Sequence, residues 1–159
     1  MRHPILPVLL LSACGNKSGT CSDVAMDGAT ATVDGSAWTA SEVTWLPAGD
    51  SVHVVSTSEG AGWFSIVAQT TPDGDSVATA VNDGAFPIDV TLKTGTDGGF
   101  ATWYAADDSA SATTEGGEGT LTLSGEDSAS LSGCLAFTAG PDGADVDFED
   151  GQFTAVAQP

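Results

Sequence analysis

From about residue 28 to the C terminus, apolar and polar residues alternate with a period of two. Ile88, Val90 and Leu92 interleave with Asp89, Thr91 and Lys93, and Leu121 and Leu123 interleave with Thr120, Thr122 and Ser124. Such alternation gives one face to a core and one to water, the signature of half-buried strands. Further strand-like runs are Ala29 to Val33, Trp38 to Leu46, Ser51 to Ser56, Trp63 to Thr70, Phe100 to Ala105, Ser130 to Ala139 and Phe148 to Ala157. Ser76 to Asn82 is the one stretch that reads as a helical turn. Asp-Gly pairs begin at Asp27, Asp34, Asp73, Asp83, Asp97, Asp142 and Asp150. Each is a turn signal, because glycine accepts positive φ and aspartate caps a turn with its own side chain. About nine short strands joined by such turns predict an all-β domain, an antiparallel β-sandwich or flattened barrel.

In the run Leu131 to Ala139, the positions Leu131, Leu135 and Phe137 share a face, which turns Cys134 outward with Ala136 and Thr138. Three cysteines occur, Cys14, Cys21 and Cys134. If Cys14 is used otherwise, Cys21 and Cys134 make an even pair, and a disulfide between them is expected in an oxidising compartment. It would close a loop of about 113 residues and stabilise by about 4 to 5 kcal/mol in the chain-entropy model. The bridge would pin the N-terminal segment to the outer face of the last strands.

That other use of Cys14 follows from the first residues. Met1-Arg2-His3 is a short positive start, and Ile5 to Leu11 is an apolar run too short to span a bilayer. Leu11-Ser12-Ala13-Cys14 follows directly and resembles the lipobox of bacterial lipoproteins: a large apolar residue, two small ones, then cysteine. The resemblance implies cleavage between Ala13 and Cys14 and a thioether-linked diacylglycerol on the Cys14 thiol. Two or three acyl chains then anchor firmly where one would bind only marginally. Gly15, standing where an aspartate would signal retention, implies the outer membrane of the cell envelope. The chain therefore divides into a signal peptide (1–13), a lipidated cysteine with a small, polar, flexible tether (14–27) and a single β domain (28–159).

From Ala31 onward, Thr32-Val33-Asp34-Gly35-Ser36-Ala37-Trp38, Gly119-Thr120-Leu121-Thr122-Leu123-Ser124-Gly125, Leu131-Ser132-Gly133-Cys134-Leu135-Ala136-Phe137 and Glu149-Asp150-Gly151-Gln152-Phe153 resemble, in order, an uncharacterised family of envelope lipoprotein domains. The resemblance implies a β-sandwich without known catalytic activity. Cys134 stands where that pattern has a small or polar residue, so the disulfide is not implied by it.

Charge removes several function classes. The chain has 22 Asp and Glu against 3 Lys and Arg, a net charge of −19. After loss of Arg2 the 22 acids face only Lys17 and Lys93, giving −20. Such a field repels nucleic acid and anionic head groups, so the membrane is met only through lipid on Cys14, and a protein or a glycan is the partner to expect.

Catalytic chemistry is thinly represented. The histidines are His3, in the leader, and His53, in a valine-rich strand where it is expected to face solvent. No Gly-x-Ser-x-Gly, Cys-x-x-Cys or His-Glu-x-x-His occurs. A non-enzymatic structural or binding module without a cofactor is the favoured reading. A carboxylate-dependent hydrolase, which needs two acids facing each other across a cleft, is the least favoured. The stronger alternative is a calcium-stabilised adhesion or carbohydrate-binding module. Asp142, Asp145, Asp147, Glu149 and Asp150 crowd nine residues, and hard oxygen ligands suit calcium, although solvated turn aspartates explain the same cluster. Of four tryptophans, Trp38, Trp45, Trp63 and Trp103, most are expected in the core. Trp103 and Tyr104 are strand neighbours and must face opposite ways, so one of the two is expected to be exposed, the one hint of a recognition surface.

Overall fold

The computed structural model describes residues 28–57, 61–93, 97–107, 109–127 and 129–158. The alternating runs become strands β1 (Ala29–Val33), β2 (Ser36–Ala40), β3 (Glu42–Ala48), β4 (Ser51–Thr57), β5 (Trp63–Ala68), β6 (Ile88–Lys93), β7 (Gly99–Tyr104), β8 (Ala110–Ala112), β9 (Glu118–Asp127), β10 (Ser130–Ala139) and β11 (Val146–Ala157). The one α-helix among the described residues, α1 (Val77–Asn82), starts at Ser76, whose hydroxyl accepts the Thr79 N–H at 3.2 Å. The fold of the described residues is all-β, as the periodicity predicts, with eleven strands in place of about nine. The Trp38–Leu46 run is broken at Ser41 into β2 and β3, and the three-residue β8 is too short to show a period.

Hydrogen bonding links β10, β9, β6, β7, β5, β4, β3 and β11 in that order, and pairing of β10 with β11 closes the ring. Two of its seams are parallel, β11 with β3 and β6 with β7, so the expected purely antiparallel arrangement does not hold. Both seams are short, one register pair at Leu92 with Gly99 and two at Val156 with Thr44 and Ala157 with Trp45. The β1–β2 hairpin stands outside the ring, with β1 on β11.

Most Asp-Gly pairs form turns or caps. Asp34 (φ 50°) and Gly35 (φ 75°) are the two central residues of the β1–β2 hairpin, a mirror-image turn that requires positive φ at both. Asp150 corrects the expectation of a turn at every pair: it lies inside β11, at φ 50°. Glu149 and Asp150 together oppose the single Ala136 between Leu135 and Phe137, which is a bulge. The extra residue shifts the phase of the strand. Phe148 and Phe153, an odd number apart, therefore both point inward.

Inside the ring the core is aromatic and solid. Trp38 packs on Phe64, Trp103 and Phe148 with ring centroids 5.7, 5.4 and 5.9 Å away, and Phe148 stacks on Phe137 at 4.8 Å. Glycines make room for these rings. A Cβ on Gly133 would enter the ring of Phe153, and one on Gly151 would press on Phe148. Trp38 carries the β1–β2 hairpin into this cluster and donates its Nε1–H to the Gly62 carbonyl at 3.3 Å. Trp45, equally buried, has no acceptor for its Nε1 among the described residues.

These two indoles give a first prediction. Trp38→Phe leaves a buried carbonyl unpaired, an expected loss of about 1 to 3 kcal/mol, whereas Trp45→Phe removes an unpaired buried donor and is expected to cost less. Urea midpoints of the two variants, measured side by side, check the order.

Candidate functional site

The outside of the ring is two-sided. On β3, β4, β5 and β7 the outward positions are Glu42, Thr44 and Leu46; His53, Val55 and Thr57; Trp63, Ser65 and Val67; and Phe100, Thr102 and Tyr104. The register aligns them in rows. Leu46, His53, Val67 and Phe100 lie side by side across four strands, followed by Thr44, Val55, Ser65 and Thr102. Trp63 then faces Tyr104, and their rings stack at 3.8 Å and 6°. Among these twelve positions there is no lysine or arginine, and Glu42 is the only carboxylate. All of the large apolar ones are half-buried.

Acids stand instead at the ends of the strands. Glu42 opens β3, Asp50 lies in the β3–β4 turn, Asp97 precedes β7 and Asp107 follows it, all exposed. The Ser109 hydroxyl (2.6 Å) and backbone N–H (3.0 Å) both donate to Asp107 Oδ1, and they hold that carboxyl below the usual aspartate range. The opposite outer face, on β6, β9, β10 and β11, is polar and charged. There Asp89 accepts from Thr122 at 2.7 Å, and Lys93, Glu118, Asp147 and Glu149 are exposed.

Several predicted site residues stand elsewhere than expected. Trp103 is 6% exposed and belongs to the core cluster, which leaves Tyr104 as the outward member of that pair. β7 presents its even positions outward, and Tyr104 is the half-buried, outward member of the pair. Its true surface partner is Trp63, which the reading along one strand misses because the contact runs across strands. A signal for this face was present: β4 and β5 carry apolar residues at both parities, as strands covered on two sides do.

The acidic cluster is spread over a turn, a strand and a bulge. Asp142 (φ 56°) sits in a short 3-10 turn, Asp147 and Glu149 point outward from β11, and Asp150 is the bulge. The Asp147 backbone is tied to Asp34, whose Oδ1 accepts the Asp147 N–H at 2.8 Å and whose N–H donates to the Asp147 carbonyl at 2.9 Å. Among the described residues no three acidic, histidine or cysteine side chains converge on a metal-sized point, Asp142, Asp145, Asp147, Glu149 and Asp150 included. Nearness in sequence is undone by the turn, the pleat and the bulge.

His53 faces outward between Leu46 and Val67. Cys134 is half-buried on the outer side of β10, between Thr122 and Gln152, and Gly133 is in regular register with Phe153, so no bulge alters its direction. Cys134 is a partnered cysteine, not a free thiol. Ala13, Cys14 and Cys21 lie outside the described residues.

A shallow groove of about 820 Å³ lies at the seam of β3 and β11, lined by Ser41, Glu42, Val43, Thr44, Val156, Ala157 and Gln158. Among the described residues no helix is long and apolar enough to cross a membrane. No protein-family model, curated protein or solved structure matches the chain.

Proposed function

We propose that this chain is a lipid-anchored lipoprotein of the bacterial cell envelope, in the outer membrane, whose β domain is a non-enzymatic binding module. The ring is read as a flattened barrel, since its pairing closes on itself and its interior is filled by side chains. The anchor rests on the Leu11-Ser12-Ala13-Cys14 lipobox after a short apolar run.

The binding role rests on one observation, the outer face of β3, β4, β5 and β7 with a single carboxylate among twelve positions in a protein of net charge −19. Acids distributed for solubility alone would cover every outer face. An apolar centre with acids at its border is the pattern of a protein interface. The occupant it fits is a protein whose apolar patch is bordered by lysine and arginine, steered there by charge. A glycan fits less well, because Trp63 and Tyr104 already cover one face of each other's rings.

In-cell photocrosslinking tests this reading. A photoreactive residue at Val67 or Phe100 is expected to give a discrete adduct whose yield falls as salt rises, whereas one at Thr91 gives none. Equal adducts from both faces would count against a dedicated binding face.

A Cys21–Cys134 disulfide is part of the same proposal. Thr30 pairs with Gln152, and Gln152 with Cys134, so Cys134 is two strand spacings from β1, about 10 Å. Cys21 precedes Ala29 by eight residues, enough to span up to about 26 to 29 Å. The bridge is therefore within reach without disturbing either strand.

A further inference from the structure

Stacking covers one face of each ring in the Trp63–Tyr104 pair and leaves the other, and the strand register shows what each free face looks at. Because the two rings stack across the β5–β7 seam at 3.8 Å and 6°, their normals run from strand to strand. The free face of Tyr104 turns to Ala110 of β8, with Asp107 in the turn between these strands. That carboxylate is already engaged, since its Oδ1 accepts both the hydroxyl and the N–H of Ser109.

The free face of Trp63 turns to β4. Val55 pairs with Ser65, and the same register carried two residues further puts Thr57 level with Trp63. Glu42 is opposite Thr57, so Glu42, Thr57, Trp63 and Tyr104 form one row across four strands. Thr57 is small and exposed, and its hydroxyl donates to the Glu42 carbonyl at 3.5 Å. Glu42 and Trp63 are thus two strand spacings apart, about 10 Å, with a low step between them. No basic side chain of the described residues answers Glu42, because Lys93, the one among them, stands on the opposite outer face.

An aromatic face beside a carboxylate attracts a cation twice over, through the ring quadrupole and through charge, and tryptophan offers the strongest such face. Arginine uses the pair better than lysine, because a planar guanidinium stacks on a ring while its N–H edge donates to a carboxylate. We propose that the Trp63 face, with Glu42 across Thr57, seats an arginine side chain of the partner protein. This rests on the binding face described above and names its anchor, since tryptophan and arginine are among the residues that carry most of the affinity of an interface. The Tyr104 stack holds the indole in place beforehand, so little side-chain freedom is lost when the guanidinium arrives.

A blocked Gly-Arg-Gly peptide and its lysine and citrulline counterparts, titrated into the full chain at low and equal ionic strength, test the site. NMR follows the N–H groups of the four indoles, with Trp63 identified through Trp63→Phe. The Trp63 signal is expected to move most, with arginine bound at least about threefold more tightly than lysine and citrulline without effect. Glu42→Gln, at an exposed position, is expected to weaken the arginine peptide about fivefold, the effect of losing an exposed ion pair. Asp107→Asn removes the same unit of charge and is expected to change it less than about twofold. Equal binding of arginine and lysine, shifts that spare Trp63, or a Glu42→Gln effect no larger than that of Asp107→Asn would overturn the site. Crosslinking at Val67 and Phe100 reads a separate row of the face, so failure here and failure of the binding reading are distinguishable.

Discussion

Replacing Phe148 by alanine is expected to lower the stability of the domain by about 3 to 5 kcal/mol, the usual cost of emptying a buried aromatic site. Phe148 is 1% exposed and lies among Trp38, Phe64, Trp103 and Phe137, with ring centroids between 4.8 and 5.9 Å. These rings come from β2, β5, β7 and β10, so the cavity would sit where the hairpin outside the ring meets the two sides of the ring itself. Collapse is hindered by the backbone, because β11 is held by β10 on one edge and by β1 on the other. A domain of this size has about 5 to 15 kcal/mol to lose. Chemical denaturation followed by tryptophan fluorescence reads the effect, with the outward Val67→Ala as control, expected below about 1 kcal/mol. A loss for Phe148→Ala no larger than the control would mean that this cluster is not the centre of the core.

Cys14→Ala is expected to move the protein from the membrane fraction to the soluble fraction and to abolish palmitate incorporation. The effect should be nearly complete because little else favours attachment. A charge near −20 repels anionic head groups, and the seven apolar residues from Ile5 to Leu11 are too few to span. Each buried methylene contributes about 0.8 kcal/mol, so two or three acyl chains outweigh any residual contact of the domain. Unchanged pelleting and labelling of the variant would remove Cys14 as the anchor.

What was legible in the sequence was what depends on neighbours along the chain. β1 and β10 begin and end where the alternation does, and the inward parity of Leu131, Leu135 and Phe137 is the observed one. α1 fills all but the first residue of its predicted turn, with Ser76 as the cap. Other features depend on residues far apart and leave no local trace. The two parallel seams join β3 to β11 and β6 to β7, and nothing in those strands announces the partner. Asp150-Gly151 has the letters of a turn, yet β1 and β10 hold it inside a strand, where it becomes the bulge that brings Phe148 and Phe153 to one side.

The candidate surface divides in the same way. Alternation within β7 sets Trp103 and Tyr104 on opposite faces without saying which is outward, and the ring that packs on Tyr104, Trp63, comes from the adjacent strand. The acid-rich stretch from Asp142 to Asp150 has the composition of a ligand set because its members are close in sequence. Alternation on β11 and the turn before it point them to different places. The carboxylate-poor face is a property of four strands at once, visible only when Leu46, His53, Val67 and Phe100 are laid in register.

The most direct test is the intact mass of the protein purified from membranes of its natural host. Lipid anchoring predicts a chain that starts at Cys14 and carries a thioether-linked diacylglycerol. A leader still attached, or an unmodified thiol at Cys14, would contradict it.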